Sequence, residues 1–288
     1  MAAIPGVRTA GFRAYRVARG WVEGFAALAD VPVFVWRVLF YSLRDVILRL
    51  KFGKVVLRQV SDVVVGVGAT IVGGGMIFVV FTMAFFVGAT VGLQGYQGLE
   101  AIGAQSFMGL VGSFINVREI TPIIAAVALA AQVGSSYTAE LGAMRISEEI
   151  DALEVMGISS FTYLVCTRVV AALIALVPIY LIALFSSFFA TRFICTWFFG
   201  MAPGVYDYYF HLYLPVRDVA YSVIKVAVFA FSVIVIHCYY GYHASGGPVG
   251  VGIAAGRAIR QSIIVVVLLN LLLSYLFWGN GGGGRLIG

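Results

Sequence analysis

The stretch Ser147-Glu148-Glu149-Ile150-Asp151-Ala152-Leu153-Glu154-Val155-Met156-Gly157 carries four of the chain's thirteen carboxylates. Ser147 is a good N-cap, Glu148 and Glu149 suit the positive end of a helix dipole, and Gly157 can stop a helix in a left-handed conformation. Nine helical residues reach only ~13 Å, too short to cross a bilayer. Ile146, Ile150, Leu153 and Gly157 fall on one side of such a helix, with Glu148, Asp151 and Val155 or Glu154 on another. A short amphipathic helix with an acidic face offers a partner something to grip. A solvated loop would account for the charge but not for the cap, the stop and the apolar side.

A second group able to do chemistry is Arg118-Glu119, just before Pro122, together with Lys225. All three lie in or beside long apolar runs, where a charge costs roughly 2.5–3.5 kcal/mol on insertion scales. Each therefore needs a partner, water or a lipid headgroup; the alternative is snorkelling to the interface. Adjacent helical residues point about 100° apart, so Arg118 and Glu119 do not face each other. His237, Cys238 and His243 invite a metal reading, but the two histidines fall on different helix faces and no fourth ligand is near. Ser135 and Ser136 have no His/Asp partner in the apolar runs, so a hydrolase is not indicated.

These groups sit in a very apolar chain. Of its 288 residues 61% are hydrophobic and 11% charged, against roughly 25% charged in soluble domains, and the mean hydropathy is +1.00. The expectation is an all-α, multi-pass membrane protein. The net charge of +6 does not indicate nucleic acid, because ten of nineteen Lys/Arg lie in residues 1–60 against only Glu23, Asp30 and Asp45. That asymmetry reads as orientation, with a cytoplasmic N-terminus. No cleavable signal peptide is apparent, since the first apolar run begins near Ser61. Cys166, Cys195 and Cys238 give no disulfide framework.

The expected organisation is a basic cytoplasmic or interfacial region over 1–60, a membrane domain over 61–280 and a flexible Gly-rich tail over 281–288. In residues 31–51 a basic stripe of Arg37, Arg44 and Lys51 on an otherwise apolar helix predicts one lying in the membrane surface. Ser61 to Leu93 contains the first span, with Gly66, Thr70 and Gly74 at the four-residue spacing that lets helices pack closely. Ala101 to Met144 would run to roughly 66 Å as one helix, about twice a bilayer core. A break at Arg118–Pro122 is therefore expected, with the second span from about Glu119 to Met144 and residues 101–117 re-entrant or interfacial. Phe161 to Thr196, Asp218 to Tyr240 and Ser262 to Gly279 complete five spans. The connectors around 145–160 and 241–260 then face the cytoplasm, while Gly200 to Pro215 and the C-terminus face outward.

Transport against a gradient needs an energy source, and the chain has no G-x-x-x-x-G-K-[ST] loop. The Gly281–Gly284 run lacks the Lys and Ser/Thr, so any ATPase must be a separate polypeptide.

The segments REITPIIAAVALAAQVGSSYTAELGAMRISEEIDALEVMG (118–157) and HCYYGYHASGGPVGVGIAAGRAIRQS (237–262) closely resemble the MlaE/YrbE permeases of ABC-type lipid transporters. The likeness extends more weakly over about 45–280, and AELGAMRISEEIDALEVMG is most similar to the B-type YrbE permeases of actinobacterial Mce lipid importers. It implies a plasma-membrane permease and no enzyme. It also implies a second YrbE-type chain, a cytoplasmic ABC ATPase dimer, extracytoplasmic MCE proteins and a lipid substrate. No cofactor is expected on this chain; ATP and Mg would be bound by the ATPase. For Ser147, Glu148, Glu149, Ile150, Asp151, Leu153 and Glu154 the resemblance implies a coupling helix, and for Arg118 and Glu119 a place by the lipid path, with Lys225 a further candidate. Two positions depart from the family pattern: Gln132 stands where Arg is usual, and Asn270 where Asp is frequent. A heterodimer whose partner carries the missing charges would fit. A homodimeric phospholipid permease, or a mere anchor for MCE proteins, are the competing readings.

Overall fold

The computed structural model describes residues 32–48, 52–65 and 75–279, and among these every regular element is helical. Five helical segments are long and apolar enough to cross a membrane: Gly75–Glu100, Gln105–Ile146, Thr162–Phe198, Val216–Tyr242 and Gly247–Gly279. The helices are labelled α1 (32–41), α2 (Gly53–Val65), α3 (Gly75–Glu100), α4 (Met108–Ile115), α5 (Thr121–Leu129), α6 (Ser135–Ile146), α7 (Glu149–Val155), α8 (Thr167–Phe193), α9 (Pro203–Leu212), α10 (Val216–Tyr242) and α11 (Gly247–Ser274).

The third and fourth spans match the apolar runs closely, whereas the other three correct the sequence reading. The first span, expected within Ser61–Leu93, is the helix Gly75–Glu100 and so runs on past Leu93. Residues from Ser61 to Val65 belong to α2, which buries Val56 and Val63 but keeps Arg58 and Asp62 exposed. Gly66, Thr70, Gly74 and Lys51, and the tail 281–288, lie outside the described residues. Among the described residues, close packing at four-residue spacing runs along α3, which buries Met76, Val80, Ala84, Gly88, Gly92 and Tyr96. At Gly88 and Gly92 this stripe meets Ser187 and Thr191 of α8, and the Thr191 hydroxyl donates to the Gly88 carbonyl at 2.8 Å.

The expected break at Arg118–Pro122 is absent. Residues Gln105 to Ile146 form one helical path in which widened, π-type turns at Asn116–Ile120 and Ala130–Gly134 join α4, α5 and α6. From Gln105 onward residues 101–117 are continuous with the helix that follows, not a separate piece. At 1.5 Å per residue this path runs to roughly 63 Å, well beyond a ~30 Å hydrocarbon core. Its excess is covered by the helical connector α9: Gly109 abuts the Tyr206 backbone, and Phe107 and Tyr209 rings lie 4.8 Å apart. The fifth span begins at Gly247 rather than Ser262, because Gly246 takes a left-handed turn (φ 88°) and Pro248 occupies the first helical turn, where its missing N–H is harmless.

The connectors between spans two and three and between four and five share one end of the bundle, where Ser160 Oγ lies 3.1 Å from the Tyr242 hydroxyl. α1 docks at that same end: Phe34 packs edge-on against Phe161 and Tyr239, at 5.2 and 5.3 Å. Along α1 and the widened turn Ser42–Leu48 that continues it, Phe34, Val38, Ser42 and Val46 are buried, while Trp36, Leu39, Phe40 and Leu43 are exposed beside Arg37 and Arg44. α1 thus has one side packed on its own bundle and the other, apolar and basic, exposed.

Candidate functional site

At the α9 end, the widened turn Asn116–Ile120 turns Arg118 and Glu119 toward different helices. Arg118 Nε and Nη2 both donate to Asp218 Oδ2, at 2.9 and 2.5 Å; the other oxygen of Asp218 accepts from the Trp278 indole at 3.2 Å. The guanidinium also lies 3.6 Å from the Phe114 ring centroid, a geometry in which an aromatic face stabilises a cation.

Glu119 faces α11. Its Oε2 accepts from Asn270 Nδ2 at 2.7 Å and its Oε1 from Ser274 Oγ at 2.6 Å. Lys225, wholly buried on α10, donates to Ser274 Oγ at 2.7 Å and to the Arg118 carbonyl at 2.5 Å, with Glu119 Oε1 at 3.5 Å. An α-helix would give the Arg118 carbonyl to the amide of residue 122. That residue is Pro122, which has no N–H; within this widened turn the Arg118 carbonyl accepts from the Lys225 ammonium. Below this layer the Tyr180 hydroxyl, Ser222 Oγ and the Val117 carbonyl form a buried chain.

The structure therefore brings all three charged candidates into one network, in which the Lys225 side chain is 0% exposed and that of Arg118 14%. Two cations face two carboxylates, with the Glu119 side chain 40% exposed. Sequence reading missed Asp218, Ser274 and Trp278, although the five-span topology puts the start of α10 and the end of the fifth span at the level of Arg118. It noted Asn270 as a departure; an amide there can donate to Glu119, whereas a second ionised carboxylate would repel it. Gln132 is not part of this cluster but lines a cavity against α2.

The opposite end carries α7. Ser147 does not cap it: Ser147 ends α6, its hydroxyl bonding the Ala143 carbonyl and Glu149. The N-cap position is Glu148, held in a left-handed conformation at φ 60° because the chain turns sharply between two helices. Gly157 does end the element at φ 76°. Ile150 is buried and Leu153 packs on the core. Asp151 pairs with Arg145 at 2.8 Å, and Glu154 accepts from Ser160 at 2.6 Å. Ile146 departs from the expected apolar side and is exposed, as are Val155 and Met156. α7 is thus fixed from beneath by Ile150 and Leu153 and presents acid and apolar surface outward.

His237 is a satisfied core residue: Nδ1 meets Thr138 Oγ1 at 2.8 Å and Nε2 meets Ser262 Oγ at 3.3 Å. Among the described residues no group of three His, Cys, Asp or Glu is placed to hold a metal, and all three cysteines are free and buried.

The protein-family model described as Permease MlaE matches residues 66–276. The chain belongs to the MlaE permease family. Relatives of this ABC permease include the "Probable ABC transporter permease protein RP096" of Rickettsia prowazekii (strain Madrid E), 33% identical over 209 residues, covering 69% of this chain and 77% of the relative. The chloroplastic protein TRIGALACTOSYLDIACYLGLYCEROL 1 of Arabidopsis thaliana is 27% identical over 251 residues, 86% of this chain and 70% of that protein. The "Probable ABC transporter permease protein ycf63" of Pyropia yezoensis is 27% identical over 262 residues, 91% and 94% of the two chains. For an MlaE permease the ATPase activity lies in a separate subunit, and the five apolar helices make this one a multi-pass membrane protein.

Proposed function

We propose that this chain is the membrane subunit of an ATP-driven, Mce-type lipid transporter. It pairs with a second YrbE-like chain and passes a lipid of fatty-acid or sterol class between an extracytoplasmic MCE assembly and the membrane or cytoplasm. In this reading the protein sits in the plasma membrane with α7 and the N-terminus cytoplasmic and the C-terminus outside. Glu148, Glu149 and Asp151 of the α7 segment face the ATPase dimer, which binds ATP and Mg.

The observation that carries the reading is the division of labour between the two ends. One end offers an acidic helix anchored by Ile150. The other holds a buried ion network in which the Glu119 side chain is 40% exposed. A purely structural anchor has no use for charges placed at such cost in the membrane. The family assignment favours a second reading, a homodimeric MlaE-type phospholipid permease, to the same extent.

Whole-cell uptake of a labelled fatty acid or sterol, with Glu119→Ala compared with wild type at matched abundance, tests the path: uptake is lost if Glu119 serves it. Wild-type uptake by that variant would remove Glu119 from the path. Native mass spectrometry of the purified complex separates a second YrbE chain from a second copy of this one.

A further inference from the structure

Away from the Arg118–Lys225 network, toward the α7 end, α2, α6 and the beginning of α8 border a cavity of about 810 Å³. Its wall contains Arg168 and Tyr137, each 7% exposed. The Arg168 guanidinium lies 5.1 Å from the Tyr137 ring centroid, and its Nη2 donates to Glu140 Oε2 at 2.8 Å. Its Nη1 has no partner; neither does the Tyr137 hydroxyl nor Gln59 Oε1, and all three atoms are buried. Glu140 is already engaged on both oxygens, the second accepting from Ser136 at 3.2 Å.

Three residues lining one cavity, each with a buried polar atom that has no partner, are unusual, because each such atom is a desolvated hydrogen bond left unmade. Two of the three, Arg168 Nη1 and the Tyr137 hydroxyl, are donors. Gln59 offers either its amide N–H or its carbonyl, since the two ends of the group are interchangeable in position. The charged residues lining the cavity are Lys54, Arg58 and Arg168 against Asp62 and Glu140, an excess of one cation. Arg168 stands six residues into a span that starts at Thr162, about 9 Å along the helix. Val55, Val63, Met76 and Val133 supply apolar wall beside the polar atoms, and Leu57 of α2 and Phe78 of α3 are exposed toward the surroundings.

We propose that this cavity binds an oxyanion, phosphate or carboxylate, carried as the headgroup of an anionic amphiphile whose tail lies along the apolar surface of α2 and α3. Arg168 Nη1 and the Tyr137 hydroxyl donate to the anion, and Lys54 and Arg58 neutralise it from the same lining. The site is separate from the Glu119 cluster and rests on the membrane location of the chain, not on which lipid is transported.

The test uses the full chain purified in detergent, with fluorescent dioleoyl phosphatidic acid as probe and dioleoylglycerol as the uncharged comparison. Tyr137→Phe removes an unpartnered hydroxyl and no internal hydrogen bond, so the fold is kept; Arg168→Lys keeps a cation opposite Glu140 but loses Nη1. Expected are preference for phosphatidic acid in the wild type and binding weakened about three- to tenfold by either substitution. The thermal midpoint of Tyr137→Phe should be unchanged, and Asp207→Asn on α9 should bind as wild type. Equal binding by wild type, Tyr137→Phe and Arg168→Lys would overturn the site. Inorganic phosphate in large excess should leave the lipid in place; displacement by phosphate at the lipid's own concentration would overturn the amphiphile as its source.

Discussion

Lys225 and Pro122 are joined through a single oxygen: the Arg118 carbonyl, which Pro122 cannot bond for want of an N–H, accepts from Lys225 Nζ at 2.5 Å. A proline in a membrane span is tolerated when a neighbouring helix satisfies the freed backbone group, and here α10 does so with a cation. Lys225→Met alone leaves a buried acceptor unmet, a cost of about 1–3 kcal/mol. In a Pro122→Ala background the new amide can take the carbonyl, so the same Lys225→Met should cost less. Thermal or denaturant unfolding of the four variants in detergent forms the cycle; a coupling of about 0.5–3 kcal/mol is expected. Strict additivity would mean that Lys225 and the amide at position 122 do not share that oxygen.

Glu119 is the acceptor for Asn270 and Ser274 and the nearest carboxylate to Lys225. Glu119→Gln keeps the shape and removes the charge, leaving Lys225 in a buried site without its counter-ion. Because the Glu119 side chain is 40% exposed and screened on that side, a loss of roughly 1–3 kcal/mol is expected, partly recovered when Lys225→Met is added. Unfolding measurements read the stability, and uptake at matched abundance separates it from any role in the path.

The α7 segment carries Glu148 and Glu149 at its exposed start, while Ile150 anchors it. Glu148→Lys with Glu149→Lys should leave insertion intact and abolish recovery of the ATPase in pull-downs with the tagged permease, since charge reversal at a complementary surface opposes the partner. Undiminished recovery would mean that the acidic turn is not what the ATPase grips.

Ser159 and Tyr208 lie at opposite ends of the third span, Thr162–Phe198. With the native cysteines replaced, a cysteine at Ser159 should label only from the cytoplasm and one at Tyr208 only from outside. The reverse pattern would invert the orientation, and labelling of both from one side would be incompatible with a third span.

Gly88 and Gly98 share helix α3 but not its surroundings. A Cβ at Gly88 would lie 2.4 Å from the Ser187 carbonyl oxygen, a backbone atom that cannot step aside, whereas at Gly98 it would meet nothing. Gly88→Ala should therefore cost about 1–3 kcal/mol by overpacking, while Gly98→Ala should gain roughly 0.5–1 kcal/mol of helix stability. Detergent unfolding midpoints moving together would deny that α3 and α8 approach at Gly88.

Hydropathy by itself determined that the described part of the chain is helical with five segments long and apolar enough to cross a membrane, because length and apolarity are local properties of a run and the bilayer fixes how long a run must be. It determined the third and fourth spans nearly to their ends, and the Gly157 stop, since a left-handed glycine is a property of one residue. Local sequence misassigned the Arg118–Pro122 segment, reading proline as a break. The carbonyl it frees is satisfied by Lys225, more than a hundred positions away, and only the tertiary structure could reveal that. The same holds for Arg118 with Asp218 and for Glu119 with Asn270 and Ser274. Each charged group announced in the sequence that it needed a partner, but which helix supplied it depended on how five helices pack. The stripe of α3 that includes Gly88 and Gly92 follows the same four-residue spacing, and what it meets was decided by Ser187 and Thr191 on the facing helix.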